Sequence, residues 1–196
     1  MQKKWWSREK IAARLPFLEA RGAVLGAVRA FFTGCDFREV ETPALQVSPG
    51  MEPHLRPFAT TLNEPGGASR GFYLHTSPEF AMKKLLVAGL PRIFQLARVF
   101  RDGERSDTHH PEFTMLEWSR GGDETPARIE DGRNLRCAAL EVVPGRDNFT
   151  WRERHCDPAK PWQVMSVAEA FDRYCGIDLL ATASDPLSPD AGLLAG

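Results

Sequence analysis

The sequence predicts an α+β fold in which an antiparallel sheet is flanked by helices. Three stretches carry that reading. Residues 92–120, RIFQLARVFRDGERSDTHHPEFTMLEWSR, read as a strand, a long polar loop and a returning strand. Their ends are apolar or half-apolar and short, whereas residues 101–112 are charged, contain Gly103 and stop at Pro111. Residues 22–33 show helical spacing, with Val24, Val28, Phe31 and Phe32 at i, i+4, i+7 and i+8. Two further helices are announced by their starts, Ser77-Pro78-Glu79 and Ser166-x-x-Glu169.

Taken in order, residues 1–18 are mixed, with Trp5 and Trp6 expected as packing anchors. Gly34 stands where a helix C-cap glycine would, and a strand is expected over Asp36–Glu41, ended by Pro43. Residues 46–58, QVSPGMEPHLRPF, form an irregular loop with turn residues Pro49, Gly50 and Pro53. Strands are expected around 56–62 and 72–75, joined antiparallel by the Gly/Ser-containing turn 63–71.

Ser77 suits an N-cap, Pro78 a first helical residue and Glu79 a helix N-terminus. Ala81, Leu85 and Ala88 give that helix its expected buried stripe, and Gly89 ends it. Residues 127–143 are weakly helical, since Gly132 and Asn134 disfavour a helix interior. Residues 148–154 suggest a strand. A capped helix, VAEAFDRYCG, closes at Gly176, and the Ala/Gly/Pro/Ser-rich residues 181–196 are expected to be a mobile tail.

Length and composition exclude several classes. A chain of 196 residues suggests one domain with one substantial core. With 25 Lys+Arg against 26 Asp+Glu, net charge offers no ground for bulk nucleic-acid binding. Cys35, Cys137, Cys156 and Cys175 are widely spaced, with no C-x-x-C, so neither a zinc site nor a disulfide framework is expected. Reduced thiols in a cytoplasmic protein are the default. No stretch approaches the roughly 20 apolar residues of a membrane span. His109 and His110 are adjacent and point opposite ways on an extended backbone, so no metal site is expected there.

Parity gives the 92–120 hairpin its meaning. Side chains alternate faces along a strand, so Gln95, Ala97, Val99 and Arg101 share one face, and Phe113, Met115, Glu117 and Ser119 share one on the return. If the two faces coincide, they gather a guanidinium, an amide, a carboxylate and an aromatic ring. A core face does not collect such groups; a pocket for a small, charged, ring-bearing ligand needs them. The alternative for a bare hairpin is a solvated, charged loop.

The segment FRDGERSDTHHPEFTMLEW resembles the second signature motif of class II aminoacyl-tRNA synthetases, in the lysine/aspartate/asparagine branch. Within that branch it is most similar to the short lysyl-tRNA synthetase paralogues that attach lysine or β-lysine to elongation factor P. FREVETPAL resembles the first signature motif, with Pro43 as its proline, so residues 22–43 would build a homodimer interface. EPHLRPF, residues 52–58, resembles the elongation-factor-P ligase form of its loop. LHTSPEFAMKKLL resembles the family's amino-acid-binding segment, which implies that Ser77, Pro78 and Glu79 line a lysine pocket.

Carried over position by position, the resemblance makes Arg101 the phosphate-binding, catalytic arginine. Asp102 and Gly103 occupy the next two ATP-contacting positions, usually Asn and Glu, and Glu104 could supply the carboxylate one place late. His110 stands where an ATP-contacting Asn is general, Phe113 where adenine stacks, and Glu117 at a pocket carboxylate. Ser119 replaces a frequent tyrosine and would loosen the substrate pocket.

The implied reaction joins lysine or β-lysine to ATP as an acyl-adenylate and transfers the acyl group to elongation factor P. Mg²⁺ would bridge the phosphates, with ligands from later chain. No G-x-G-x-D-R third motif occurs, so residues 1–180 are expected to be the N-terminal part of such a catalytic domain, with activity impaired by truncation. No upstream OB-fold is present, so tRNA is the less expected acceptor. A dimerisation module without catalysis and a lysyl-tRNA ligase core are the other readings.

Overall fold

The computed structural model describes residues 4–122, 125–183, 188 and 190–194. The chain falls into two compact units, Met1–Cys156 and Asp157–Gly196.

Helix α1 spans Arg8–Gly34, twice the length the apolar spacing suggests. Ser7 caps it, accepting the Lys10 N–H at 3.5 Å, and Pro16 sits inside it. Pro16 and Gly22 masked its first half in the sequence, because both read as breakers. Trp5 and Trp6 meet edge to face at 5.4 Å but stay 64% and 57% exposed, so they do not anchor the core. Gly34 is the last helical residue; the left-handed position falls instead on Asp36, with φ 61°. That turn lets Phe37 N–H bond back to the Phe32 carbonyl at 2.9 Å and drops the Phe37 ring inward.

The strands are β1 (Arg38–Glu39), β2 (Leu45–Gln46), β3 (Ala59–Asn63), β4 (Ser69–Leu74), β5 (Arg92–Phe100) and β6 (Glu112–Arg120). They form two three-stranded sheets, ordered β1-β5-β6 and β2-β4-β3. The expected strand over 36–41 shrinks to β1, which runs parallel to β5 with Arg38 opposite Ile93. The expected hairpin around residues 63–71 is present, with Ala59 opposite Tyr73. Strands β5 and β6 pair antiparallel along all of their length, from Arg92 opposite Arg120 to Phe100 opposite Glu112.

One face of β5–β6 is the core. Phe94, Leu96, Leu116 and Trp118 meet Val28 and Phe32 of α1, Phe37, and Leu135 of helix α3 (Thr125–Glu141). Phe32 is fully buried, stacked on Phe94 at 4.8 Å and edge-on to Phe37 at 5.1 Å. The core closes with an ion pair. Arg120 Nε lies 2.8 Å from Asp131 of α3, both largely buried, and the guanidinium rides 5.3 Å over Phe37.

The opposite face meets helix α2 (Glu79–Val87), which contacts both β5 and β6. Its fully buried residue is Met82; Ala88, expected in the stripe, is exposed. Beyond α3 a short hairpin, β7 (Phe149–Trp151) and β8 (Arg154–Cys156), ends the first unit.

In the second unit, α4 (Val167–Cys175) has the capping box that the sequence announces. Ser166 Oγ accepts the Glu169 N–H at 3.1 Å, the Glu169 carboxylate accepts the Ser166 N–H at 2.7 Å, and Gly176 is left-handed at φ 69°. Helical turns follow at Ala181–Ala183 and, as α5, at Ala191–Leu194; residues 184–187, 189 and 195–196 of the tail lie outside the described residues.

Candidate active site

The register of β5–β6 decides whether the two chemical faces coincide. Val99 lies opposite Phe113, Ala97 opposite Met115, Gln95 opposite Glu117 and Ile93 opposite Ser119. Residues paired across an antiparallel ladder point to one side. Phe113, Glu117 and Ser119 therefore share the side away from the core, together with Gln95. Arg101 continues the ladder past β5: its N–H bonds the Pro111 carbonyl at 2.9 Å. Its guanidinium carbon lies 5.2 Å from the Phe113 ring centroid, within cation–π range.

Arg101 is aimed by a second contact. Its Nε donates to the Thr76 carbonyl at 3.3 Å. Thr76 is buried and precedes Ser77, so the side chain expected to meet phosphate is tied to the backbone of the segment expected to bind the amino acid. His75 strengthens that junction. Its N–H bonds Ala44 at 2.9 Å, its carbonyl accepts from Phe100 at 3.0 Å, and its ring Nε2 donates to the Arg98 carbonyl at 2.6 Å.

At the start of α2, Ser77 Oγ accepts the Glu79 N–H at 3.1 Å, Pro78 is fully buried, and Glu79 opens the helix. The Glu79 carboxylate holds an ammonium: Lys83 Nζ lies 2.7 Å away, one turn on. Glu117 completes the charge set. Its half-buried carboxyl is pushed above the ordinary range, first by burial and then by the charge of Glu79, while Lys83 opposes the shift. Lys83 is pushed above its ordinary range, chiefly by its bond to Glu79. Gln95 is partly committed, since its amide oxygen accepts from Thr42 at 3.0 Å in a buried contact.

The remaining residues expected to contact a nucleotide lie on the 101–112 loop. Asp102, Gly103 and Glu104 line a cleft of about 380 Å³ with Arg56 and His109. His110 is exposed; its Nδ1 meets the Glu112 backbone rather than Arg101 or Phe113. Ser119 lies at the far end of the strand from Phe113. Among the described residues no three His, Cys, Asp or Glu side chains converge on a possible metal position.

Sequence reasoning missed Thr42, Thr76, Arg56 and Lys83. Thr76 acts through its carbonyl, which any residue type supplies. Lys83 carried a signal, since Glu and Lys four apart on a helix pair.

Comparison with known proteins follows the same lines. The chain is 37% identical over 177 residues to an elongation factor P–(R)-β-lysine ligase of Pseudoalteromonas translucida (strain TAC 125), covering 90% of this chain and 49% of that protein. It is 37% identical over 184 residues to the protein of that name from Klebsiella pneumoniae (strain 342), covering 93% of this chain and 51% of the relative. The chain thus spans about half the length of the curated relatives it matches. A family model described as tRNA synthetases class II (D, K and N) matches residues 5–184, and the α+β arrangement is consistent with it. On that match, the chain belongs to the class II tRNA synthetase family of the D, K and N type.

Proposed function

We propose that this chain carries the floor of an ATP-dependent ligase site that activates lysine or β-lysine and passes it to a lysine of elongation factor P. The observation that carries the reading is the placement of Arg101, Phe113 and Glu117 on one side of β5–β6, with the charge of Glu79 acting on Glu117. Phe113 offers a ring face to adenine, and Arg101 a rigid fork to the α-phosphate. Glu79 and Glu117 offer carboxylates to an amino group of the substrate, in exchange for Lys83.

In the first step a substrate carboxylate oxygen attacks the α-phosphorus, and the bond to the bridging oxygen of the β-phosphate breaks, releasing pyrophosphate. No protein nucleophile is needed. The work is alignment of two anions and neutralisation of charge on the phosphoryl oxygens, which a fixed bidentate donor suits. In the second step the acceptor amine attacks the acyl carbon, AMP leaves and the amine loses a proton.

The matches to elongation factor P–(R)-β-lysine ligases favour a protein acceptor over tRNA. The same reading has residues 22–43 pairing two copies in a homodimer. It places the protein in the cytoplasm, where its free cysteines would stay reduced. No helix among the described residues is long and apolar enough to cross a membrane.

The test is calorimetric titration of the chain with ATP and with lysine, followed by lysine-dependent ATP–pyrophosphate exchange. Binding of both ligands with slow exchange is expected, since no third-motif arginine occurs in these residues. Failure to bind either ligand would refute the reading; charging of tRNA in place of elongation factor P would move it to a lysyl-tRNA ligase core.

A further inference from the structure

The loop 49–58 is pinned at both ends to the candidate site. At its start, Thr76 Oγ1 donates to the Pro49 carbonyl at 3.2 Å. Glu52 folds back over Gly50 so closely that a Cβ there would sit 2.6 Å from its Oε2 and 3.4 Å from Thr76 Oγ1. The Glu52 charge also reaches Lys83. In the middle, Leu55 N–H bonds the Glu52 carbonyl at 3.2 Å and turns the chain.

At its other end the loop closes on the nucleotide side. Arg56 forms an isolated antiparallel bridge with Asp102, and the Asp102 N–H donates to the Arg56 carbonyl at 2.7 Å. The Arg56 guanidinium extends over the next residue. It lies 3.8 Å from the Asp102 carboxylate, and a Cβ on Gly103 would meet its Nη2 at 2.7 Å. Gly103 is left-handed, at φ +83°. A glycine thus serves both the turn and the close approach of a guanidinium.

We infer that Arg56 is a positioning residue for the nucleotide: it clasps the Asp102–Gly103 turn from outside and fixes the direction in which Arg101, one residue earlier, presents its fork. The inference rests on the nucleotide reading of Arg101 and Phe113. It also gives the EPHLRPF segment a physical task. Glu52 reaches the amino-acid end of the site and Arg56 the nucleotide end, so one short loop spans both. An exposed pair at 3.8 Å contributes little to stability by itself. The role of Arg56 is to set geometry.

The test compares Arg56→Ala and Arg56→Lys with the unaltered chain, by calorimetric titration with ATP and, separately, with lysine, and by amide exchange over residues 102–105. Arg56→Ala should weaken ATP about tenfold, leave lysine affinity within twofold and speed exchange in the turn; Arg56→Lys should recover most of the ATP affinity. Unchanged ATP affinity in Arg56→Ala overturns the inference. Equal losses for ATP and lysine also overturn it, because they would mark a general structural role. If the unaltered chain binds no ATP, faster exchange in Arg56→Ala would uphold the clasp while the nucleotide reading fails; unchanged exchange would end both.

Discussion

The guanidinium of Arg101, the first residue after β5, lies 5.2 Å over the ring of Phe113 on β6, and the loop that joins the two strands runs over eleven positions, 101–111. The cation partly covers the ring face. An adenine entering there would slide between the ring and solvent while the fork turns toward phosphate. The Thr76 carbonyl, 3.3 Å from Arg101 Nε, leaves the two terminal nitrogens of the fork for that task.

Arg101→Ala is expected to cost about 3 kcal/mol of transition-state stabilisation, by comparison with loss of one oxyanion donor, or roughly a hundredfold in pyrophosphate exchange. Arg101→Lys should recover little, because a point ammonium replaces neither the fork nor the Nε bond to Thr76. Phe113→Ala should weaken ATP by about 1–3 kcal/mol, the usual worth of stacking one base. Titration with ATP separates these losses from any change in lysine affinity.

Glu79→Gln should act on the other ligand. The substitution releases Lys83 from its 2.7 Å ion pair and removes one of two carboxylates facing an incoming ammonium. Lysine should bind at least tenfold more weakly, and norleucine, which lacks the ε-ammonium, should no longer be discriminated against. ATP affinity should stay within twofold. Parallel titrations with the two amino acids check this; preserved preference for lysine would remove Glu79 from the pocket.

A stability prediction attaches to the base of the core. Arg120 and Asp131 meet at 2.8 Å with side chains only 15% and 7% exposed. Asp131→Ala takes the carboxylate away from a buried guanidinium and should lower stability by about 3 kcal/mol. Replacing the pair together, Arg120→Met with Asp131→Leu, should recover most of that loss. Urea midpoints at pH 7 for the two variants measure the difference.

The parts legible in the sequence were those governed by local rules. Period-two alternation put Gln95 with Arg101 on one face of the first strand and Phe113 with Glu117 on one face of the second, and the observed register joins the two faces. The capping box at Ser166 is local chemistry and appeared as written. The first half of α1 was hidden because Pro16 outweighs its neighbours in any local reading, while packing of Val28 and Phe32 stabilises the helix from elsewhere. The ties from Thr42 to Gln95, Thr76 to Arg101 and Arg56 to Asp102 span 53, 25 and 46 positions, and no local pattern encodes contacts of that range.

Glu117 makes the site sensitive to pH in a direction that can be worked out. Burial, followed by the Glu79 charge, raises its folded pKa above the unfolded value. Between those two values the folded chain binds more protons than the unfolded one, so stability falls as pH rises through that window. The penalty is absent below the ordinary carboxylate range and complete above the raised value. Glu117→Gln carries no such charge. Its urea midpoint should match that of the unaltered chain at pH 4 and exceed it at pH 7, with the gap opening across the window. A cationic amino acid reverses the balance, because an ammonium beside Glu117 favours the charged carboxylate. Lysine should therefore stabilise the unaltered chain more at pH 7 than at pH 4, and that pH dependence should flatten in Glu117→Gln. A Glu117→Gln chain less stable than the unaltered one at pH 7 would mean that the carboxylate is held by partners that outweigh its burial.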